Sequence, residues 1–363
     1  MNISTESVLH MTDSIPNLFI VGAAKSGTTS LWQYLKRHPS IFMPEDELHK
    51  EPCFFSKYGE SMGIDNYLKI FSGASRFHKL VGEASTAHLT DPVSAQRIFN
   101  FNPNAKIIII LRNPAVRAYS LYNWMVQDGY EYASTFQEAL DLEERRSALT
   151  IPNWYEPQYY WNYMYFRSGM YYEQVKRYLD LFGSNVMVLK FEDLKSDPDK
   201  QMKSLCAFLN IEPYVSDYQE HNVSHEVISA KIQFLMRHVN THIINMLDQK
   251  TDPFQLSLSC VQYYRACVNK LSEVTHVSWP DRMSGGIHMG RVLMLIMRGR
   301  VYKQKDIISK IQRDTILQIG HRMVKPAMLS VARKHDMITK YSSDIEKLTS
   351  LTKVDFSRWL DAT

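Results

Sequence analysis

The chain has 363 residues, long enough to bury a sizeable core as one large domain or two small ones. Its hydrophobic content of 45% is that of an ordinary soluble globular protein, and its formal net charge is +4. Four cysteines, Cys53, Cys206, Cys260 and Cys267, form no C-x-x-C pair and no zinc spacing, which excludes a zinc module and predicts reduced thiols.

Met1 to Ser14 is polar and has no basic segment leading into an apolar one. The expectation is a tail without a signal peptide, and a cytoplasmic protein. Leu18 to Val21 is an apolar strand that runs into Gly22-Ala23-Ala24-Lys25-Ser26-Gly27-Thr28-Thr29-Ser30. A helical pattern, Leu31 to Leu35, follows directly. Small residues let backbone N–H groups close around a phosphate, and a helix N-terminus adds partial positive charge. Loops that hydrolyse nucleoside triphosphates need the lysine after the second glycine. Here Lys25 precedes Gly27, so the ammonium and a Mg²⁺-binding hydroxyl lose their usual geometry. That displacement points away from ATP hydrolysis, toward a nucleotide whose terminal group is transferred without a metal.

Leu80 to Gly82 is a second strand candidate, and Ile107 to Leu111 is a β-branched run suited to burial on both faces. The latter ends in Arg112-Asn113-Pro114, followed by a helical stretch from Ala115 to Tyr122. Arg112 leaves the strand where open parallel sheets place their ligands. Ser120 stands about two helical turns further on, and an arginine with a nearby hydroxyl suits a second, separate phosphate. Asn153 to Tyr165 is dense in aromatic residues without a clean period; core packing is the default and an acceptor pocket the alternative. Val186 to Phe191 completes a set of strands alternating with helices, which predicts a central parallel α/β sheet flanked by helices.

From Val223 to Met328 the pattern turns mainly helical, with Ile228–Leu247 and Leu256–Leu271 and then a turn at Ser284-Gly285-Gly286. Between Gly286 and Lys340 the chain carries 12 Lys or Arg against 3 Asp. Such a segment suits an acidic acceptor, nucleotide phosphates or an anionic membrane surface; solvated helix faces are the plainer account. Inside it, Val292 to Met297 is a six-residue apolar run between arginines. It is far too short to span a bilayer, which needs about 20 residues. A buried helix, a lid over an apolar acceptor and an interfacial contact all fit it. No internal repeat is present.

Together these pieces resemble one family. Lys25-Ser26-Gly27-Thr28-Thr29-Ser30 resembles the 5′-phosphosulfate loop of sulfotransferases that use 3′-phosphoadenosine 5′-phosphosulfate (PAPS). Arg112-Asn113-Pro114, with Arg117 and Ser120, resembles their 3′-phosphate site. Lys50-Glu51-Pro52-Cys53-Phe54-Phe55 resembles the lysine-led motif of the bacterial and heparan-sulfate-type branch, and Gly82-Glu83-Ala84-Ser85-Thr86 its catalytic-glutamate segment. Gly169-Met170-Tyr171, Val188 to Leu194, Tyr341 to Leu348 and Trp359-Leu360 resemble later family segments.

The resemblance implies a sulfotransferase core over 15–222 with a PAPS-binding loop. It further implies a helical, acceptor-side insertion over 223–328, a segment returning to the core over 329–363, and a tail over 1–14. It implies transfer of a sulfuryl group from PAPS to a hydroxyl or amine by in-line attack, with no metal. The acceptor is a small molecule, glycan or lipid; no nucleic acid partner and no transmembrane span are expected. Ser26, Gly27, Thr28, Thr29 and Ser30 hold the 5′-phosphate, and Arg112 and Ser120 the 3′-phosphate. Charge developing on the bridging oxygen calls for a cation, assigned to Lys25. Lys50 contacts the sulfuryl oxygens or the leaving group. Glu83, at a strand end where partial burial tunes a carboxylate, is assigned the base, with His88 as its rival. Two other classes remain open. A small-molecule kinase would place its lysine after the loop glycine and add Asp ligands for Mg²⁺. A non-catalytic binding protein would be expected to have lost Lys25, Glu83 or Arg112.

Overall fold

The computed structural model describes residues 15–45, 49–56, 62–127, 131, 133, 135–148, 159–214 and 329–361. The expected insertion over 223–328, with its apolar run and most of the basic segment, lies outside the described residues, as do the tail over 1–14, Cys260 and Cys267. Contacts divide the chain into two units, one of residues 1–121, 165–223 and 329–363 and one of 122–164 and 224–328.

The first unit is built on five parallel strands. They are β1 (Leu18–Gly22), β2 (Ile41–Phe42), β3 (Leu80–Glu83), β4 (Lys106–Leu111) and β5 (Val186–Lys190), in spatial order β2-β3-β1-β4-β5. Leu18 pairs with Gly82 on one side and Lys106 on the other, so β1 is the centre of the sheet. From β1 the chain passes to the edge strand β2, returns inward to β3, then crosses to the other side of β1 for β4 and the far edge β5. Such a reversal opens a crevice beyond the carboxyl ends of the central strands.

β1 and β4 are buried on both faces, as continuous apolar runs demand. Leu18, Ile20, Ile108 and Ile110 form one face of the core. Against it lie Leu31, Trp32 and Leu35 of α1 (Thr28–Lys36) and Leu205 and Leu209 of α9 (Pro198–Leu209). Ile107, Ile109 and Leu111 alternate to the opposite side. α7 (Tyr171–Phe182) packs on β4 and β5 and buries Val175 and Tyr178. Shorter helices join the strands: α2 (Ile64–Lys69), α3 (Ala87–Thr90) and α4 (Ser94–Phe101) before β4, and α8 (Phe191–Ser196) after β5. α5 (Pro114–Gln127) follows β4.

Helix ends follow local chemistry in some places and distant partners in others. At α9 the Asp197 side chain accepts the Lys200 N–H at 3.0 Å, with Pro198 next and Asn210 left-handed at the far end. α7 has no such residue of its own. Its first N–H groups, from Tyr171 and Tyr172, donate to Asp344 at 2.7 and 3.2 Å. Asp344 belongs to α10 (Val331–Thr352), and burial raises its carboxyl above the ordinary range. Tyr341 of the same helix stacks on Phe166 and donates its hydroxyl to the Phe166 carbonyl at 2.8 Å.

Strand ends differ from the sequence expectation by a residue at β1, β3, β4 and β5, and one strand is unexpected. β2 escapes it because two residues carry no alternation, and Phe191 starts α8 rather than ending β5. In the aromatic stretch Tyr159, Tyr163, Met164 and Tyr165 are buried, whereas 153–158 lie outside the described residues.

The second unit contributes α6 (Phe136–Ala148). There the fully buried Glu131 takes a two-pronged bond from Arg146 at 2.8 and 2.9 Å, and the guanidinium lies over the Tyr163 ring. Among the described residues no helix is long and apolar enough to cross a membrane.

A Cβ on Gly169 would stand 2.7 Å from the Tyr341 hydroxyl, whose ring is fully buried and stacked. We therefore expect Gly169→Ala to lower stability by about 1–3 kcal/mol, read as a fall in Tm.

Candidate functional site

The turn after β1 is held from both sides. The Ala23 N–H donates to the Ile110 carbonyl of β4 at 2.7 Å, and the Ser26 N–H to the Ala23 carbonyl at 3.2 Å. Lys25 and Gly27 are left-handed, with φ of 66° and 86°. For lysine that backbone is costly and persists only where neighbours impose it. Arg112 supplies one such restraint, donating Nη1–H to the Lys25 carbonyl at 3.2 Å. Gly27 is required twice over, because a Cβ there would also stand 2.7 Å from the Phe191 ring.

Gly27 begins α1 and no side chain caps it. The leading N–H groups, of Thr28, Thr29 and Ser30, have no acceptor within the helix, and the positive end of its dipole lies there. Ser26 is fully buried in the turn. Its hydroxyl lies beside that of Tyr171 but outside hydrogen-bonding geometry, a buried polar atom without a partner. Small residues, a helix N-terminus with its positive dipole end and the orphaned Ser26 hydroxyl fit a bound anionic phosphate.

Arg112 extends from β4 with its guanidinium 4.8 Å over the Phe191 ring, and its carbonyl accepts the Tyr171 hydroxyl at 2.9 Å. Asn113 fixes the next step. Its Oδ1 accepts the Ala115 and Val116 N–H groups, its N–H donates to Glu192 at 2.9 Å, and its Nδ2 donates to the Trp359 carbonyl. Ser120 is half-buried on α5, the helix that starts at this corner. Arg117 is committed elsewhere. Buried, it donates Nη2–H to the Tyr165 carbonyl at 2.7 Å and to Ser168 Oγ at 2.9 Å.

The lysine-led segment reaches the loop directly. Lys50 Nζ donates to Thr29 Oγ1 at 3.0 Å and to Glu51 Oε1 at 2.8 Å. The other Glu51 oxygen accepts the Thr86 N–H at 3.3 Å and its hydroxyl at 2.9 Å. Glu51 keeps 35% of its side chain exposed.

Glu83 differs from its expected setting. The sequence places it at the crevice, partly buried; the structure buries it completely, 0% exposed. Ser85 Oγ donates to one of its oxygens at 3.1 Å, and His88 Nδ1 is 3.4 Å from the other. His88 is itself buried, and the Tyr178 hydroxyl donates to its carbonyl. Tyr67 lies alongside; burial first, then the Glu83 charge, pushes its phenol well above the usual range. The structure thus joins Lys25 to Arg112, Lys50 to Thr29 and Glu83 to His88. Sequence reasoning missed Glu51, whose one visible signal was its place beside Lys50. Cys53 is a buried thiol. Among the described residues no group of three or more His, Cys, Asp or Glu is arranged to hold a metal.

Residues 16–254 match the family model described as a sulfotransferase domain. The crystal structure of a sulfotransferase from Alicyclobacillus acidocaldarius is 32% identical, aligns with 73% of this chain and 97% of that one, and has a TM-score of 0.50. The bifunctional heparan sulfate N-deacetylase/N-sulfotransferase 1 of Mus musculus is 30% identical over 222 residues, 57% of this chain. The membrane-associated sulfotransferase kil1 of Dictyostelium discoideum is 37% identical over 115 residues, 31% of this chain. The matches span only 23% and 24% of those two proteins' own lengths.

The buried phenols give the site an alkaline limit. Burial chiefly pushes Tyr171 from 10.0 to about 12. A phenol raised in the folded state contributes stability below its unfolded value and loses it as pH climbs through the folded one. Unfolding free energy is therefore expected to fall between about pH 10 and 12. Tyr171→Phe should fall less steeply over that interval, as followed by denaturant titration.

Proposed function

Because the chain belongs to the sulfotransferase family, we propose that its first unit transfers a sulfuryl group from PAPS to a hydroxyl or amine of an acceptor. The observation that carries the reading is the Thr29–Lys50–Glu51 array, which joins the anion-binding turn to a carboxylate with exposed surface. PAPS, when bound, supplies a sulfuryl group on a phosphate leaving group. The amides and hydroxyls of Ser26 to Ser30 hold its 5′ end. Arg112 and Ser120 hold the 3′-phosphate that separates this donor from ordinary adenylates. Lys25 and Lys50 supply positive charge where negative charge develops.

Glu51 accepts the acceptor's proton in this scheme, in place of Glu83. Proton transfer needs hydrogen-bond reach. A fully buried carboxylate facing Ser85 and His88 offers none to an incoming group, whereas Glu51 beside Lys50 keeps part of its side chain exposed. Glu83 and His88 then serve the fold. The kinase reading is weakened by the same loop geometry, with Lys25 ahead of Gly27. For the acceptor, the name of the mouse relative specifies N-sulfotransfer to heparan sulfate. That supports an amino-sugar glycan as the acceptor class here.

Thermal melts with adenosine 3′,5′-bisphosphate, 5′-AMP and Mg²⁺–ATP test the donor site. At 100 times its dissociation constant a ligand stabilises by about 2.7 kcal/mol. We expect that response from the bisphosphate alone; a response confined to Mg²⁺–ATP would establish a kinase instead. For the base, Glu51→Gln should lower kcat by about 10²- to 10⁴-fold while keeping the bisphosphate shift. Glu83→Gln should chiefly lower Tm. Loss of turnover in Glu83→Gln at unchanged Tm would return the base to Glu83.

A further inference from the structure

We propose that Thr86 is a positioning residue that fixes the carboxylate of Glu51. This rests on the reading of Glu51 as the base. The segment 84–86 runs beside 50–53 and bonds to it at each step. The Ala84 N–H donates to the Lys50 carbonyl at 3.0 Å, and the Cys53 N–H donates to Ser85 Oγ at 2.9 Å. Ser85 in turn donates to Glu83, so Glu83 anchors the clamp from behind. Within this set the first two bonds fix backbone, whereas the Thr86 bonds fix a side chain.

Thr86 is also diverted from its ordinary local task. It stands at the N-cap of α3, where a threonine hydroxyl usually accepts from the helix's own amides. α3 has no such side-chain bond. Instead the hydroxyl and N–H of Thr86 both donate to Glu51 Oε2, while Lys50 donates to Oε1. With one oxygen held by each partner, the carboxylate plane is set before an acceptor arrives. Preset geometry of this kind separates an effective base from a merely nearby one.

Donors on a carboxylate favour its ionised form. Lys50, on its own segment, is a charged neighbour that bonds Glu51; Glu83 on β3 and His88 on α3 face each other. The test is ¹³C NMR of protein labelled at the glutamate carboxyl carbon, with the Glu51 signal assigned by its absence in Glu51→Gln. Thr86→Val should move the Glu51 titration midpoint upward by about 0.5–1 pH unit, and Thr86→Ser should restore it. Thr86→Ala should reproduce the shift if the valine variant folds poorly. In turnover, Thr86→Val should lower kcat about tenfold at unchanged KM for PAPS, with recovery in Thr86→Ser. An unshifted midpoint in both Thr86→Val and Thr86→Ala, or one that serine fails to restore, would overturn the assignment. Full turnover in Glu51→Gln beside the expected shift would instead remove the base reading and leave the contact itself standing.

Discussion

Placing β1 at the centre of a parallel sheet is the constraint from which the rest of this site follows. With β3 on one side and β4 on the other, three carboxyl ends lie next to each other. One delivers the turn of Lys25 to Gly27, one delivers Glu83 and the segment behind it, and one delivers Arg112. Each is then tied to a neighbour. Ala23 bonds to β4, Arg112 bonds back to Lys25, and Phe191 fills the space beside Gly27 while lying under the guanidinium. An anion-binding turn with two left-handed residues is strained alone, and these cross-ties hold it in shape.

The two acidic residues near the crevice illustrate how burial divides labour. A buried carboxylate is tolerable only among polar partners, and Glu83 has Ser85 and His88. The Ser85 bond makes it an anchor for the lysine-led segment, and complete burial removes it from contact with incoming groups. Glu51 is held by Lys50 and Thr86 yet keeps exposed surface. Chemistry needs a group that is both fixed and reachable, and of these two only Glu51 is both.

The C-terminal segment matters to the site through structure. Asp344 satisfies the leading amides of α7, and Tyr171 of that helix bonds the carbonyl of Arg112. The Trp359 carbonyl takes the Asn113 amide, and the Asn113 Oδ1 in turn caps α5. The corner that carries Arg112 is therefore braced by residues near the end of the chain. Burial of Asp344, Tyr341 and Phe356 makes that brace a part of the core.

By itself the sequence determined what depends on neighbours along the chain. The apolar runs of β1 and β4, the small-residue turn with Lys25 ahead of Gly27, and Arg112 at a strand tip are all local patterns, because strand burial and anion-binding turns are set by a few consecutive residues. The two-residue β2 was below the length at which alternation shows. Tertiary structure decided which carboxylate is sealed and which is open, since that depends on Thr86 meeting Glu51 across 35 residues. It also decided that Arg117 belongs to the core and that α7 and Asn113 are completed from 173 and 246 residues away. Hydrogen-bond partners and solvent exposure belong to the folded arrangement; no run of residue types encodes them locally.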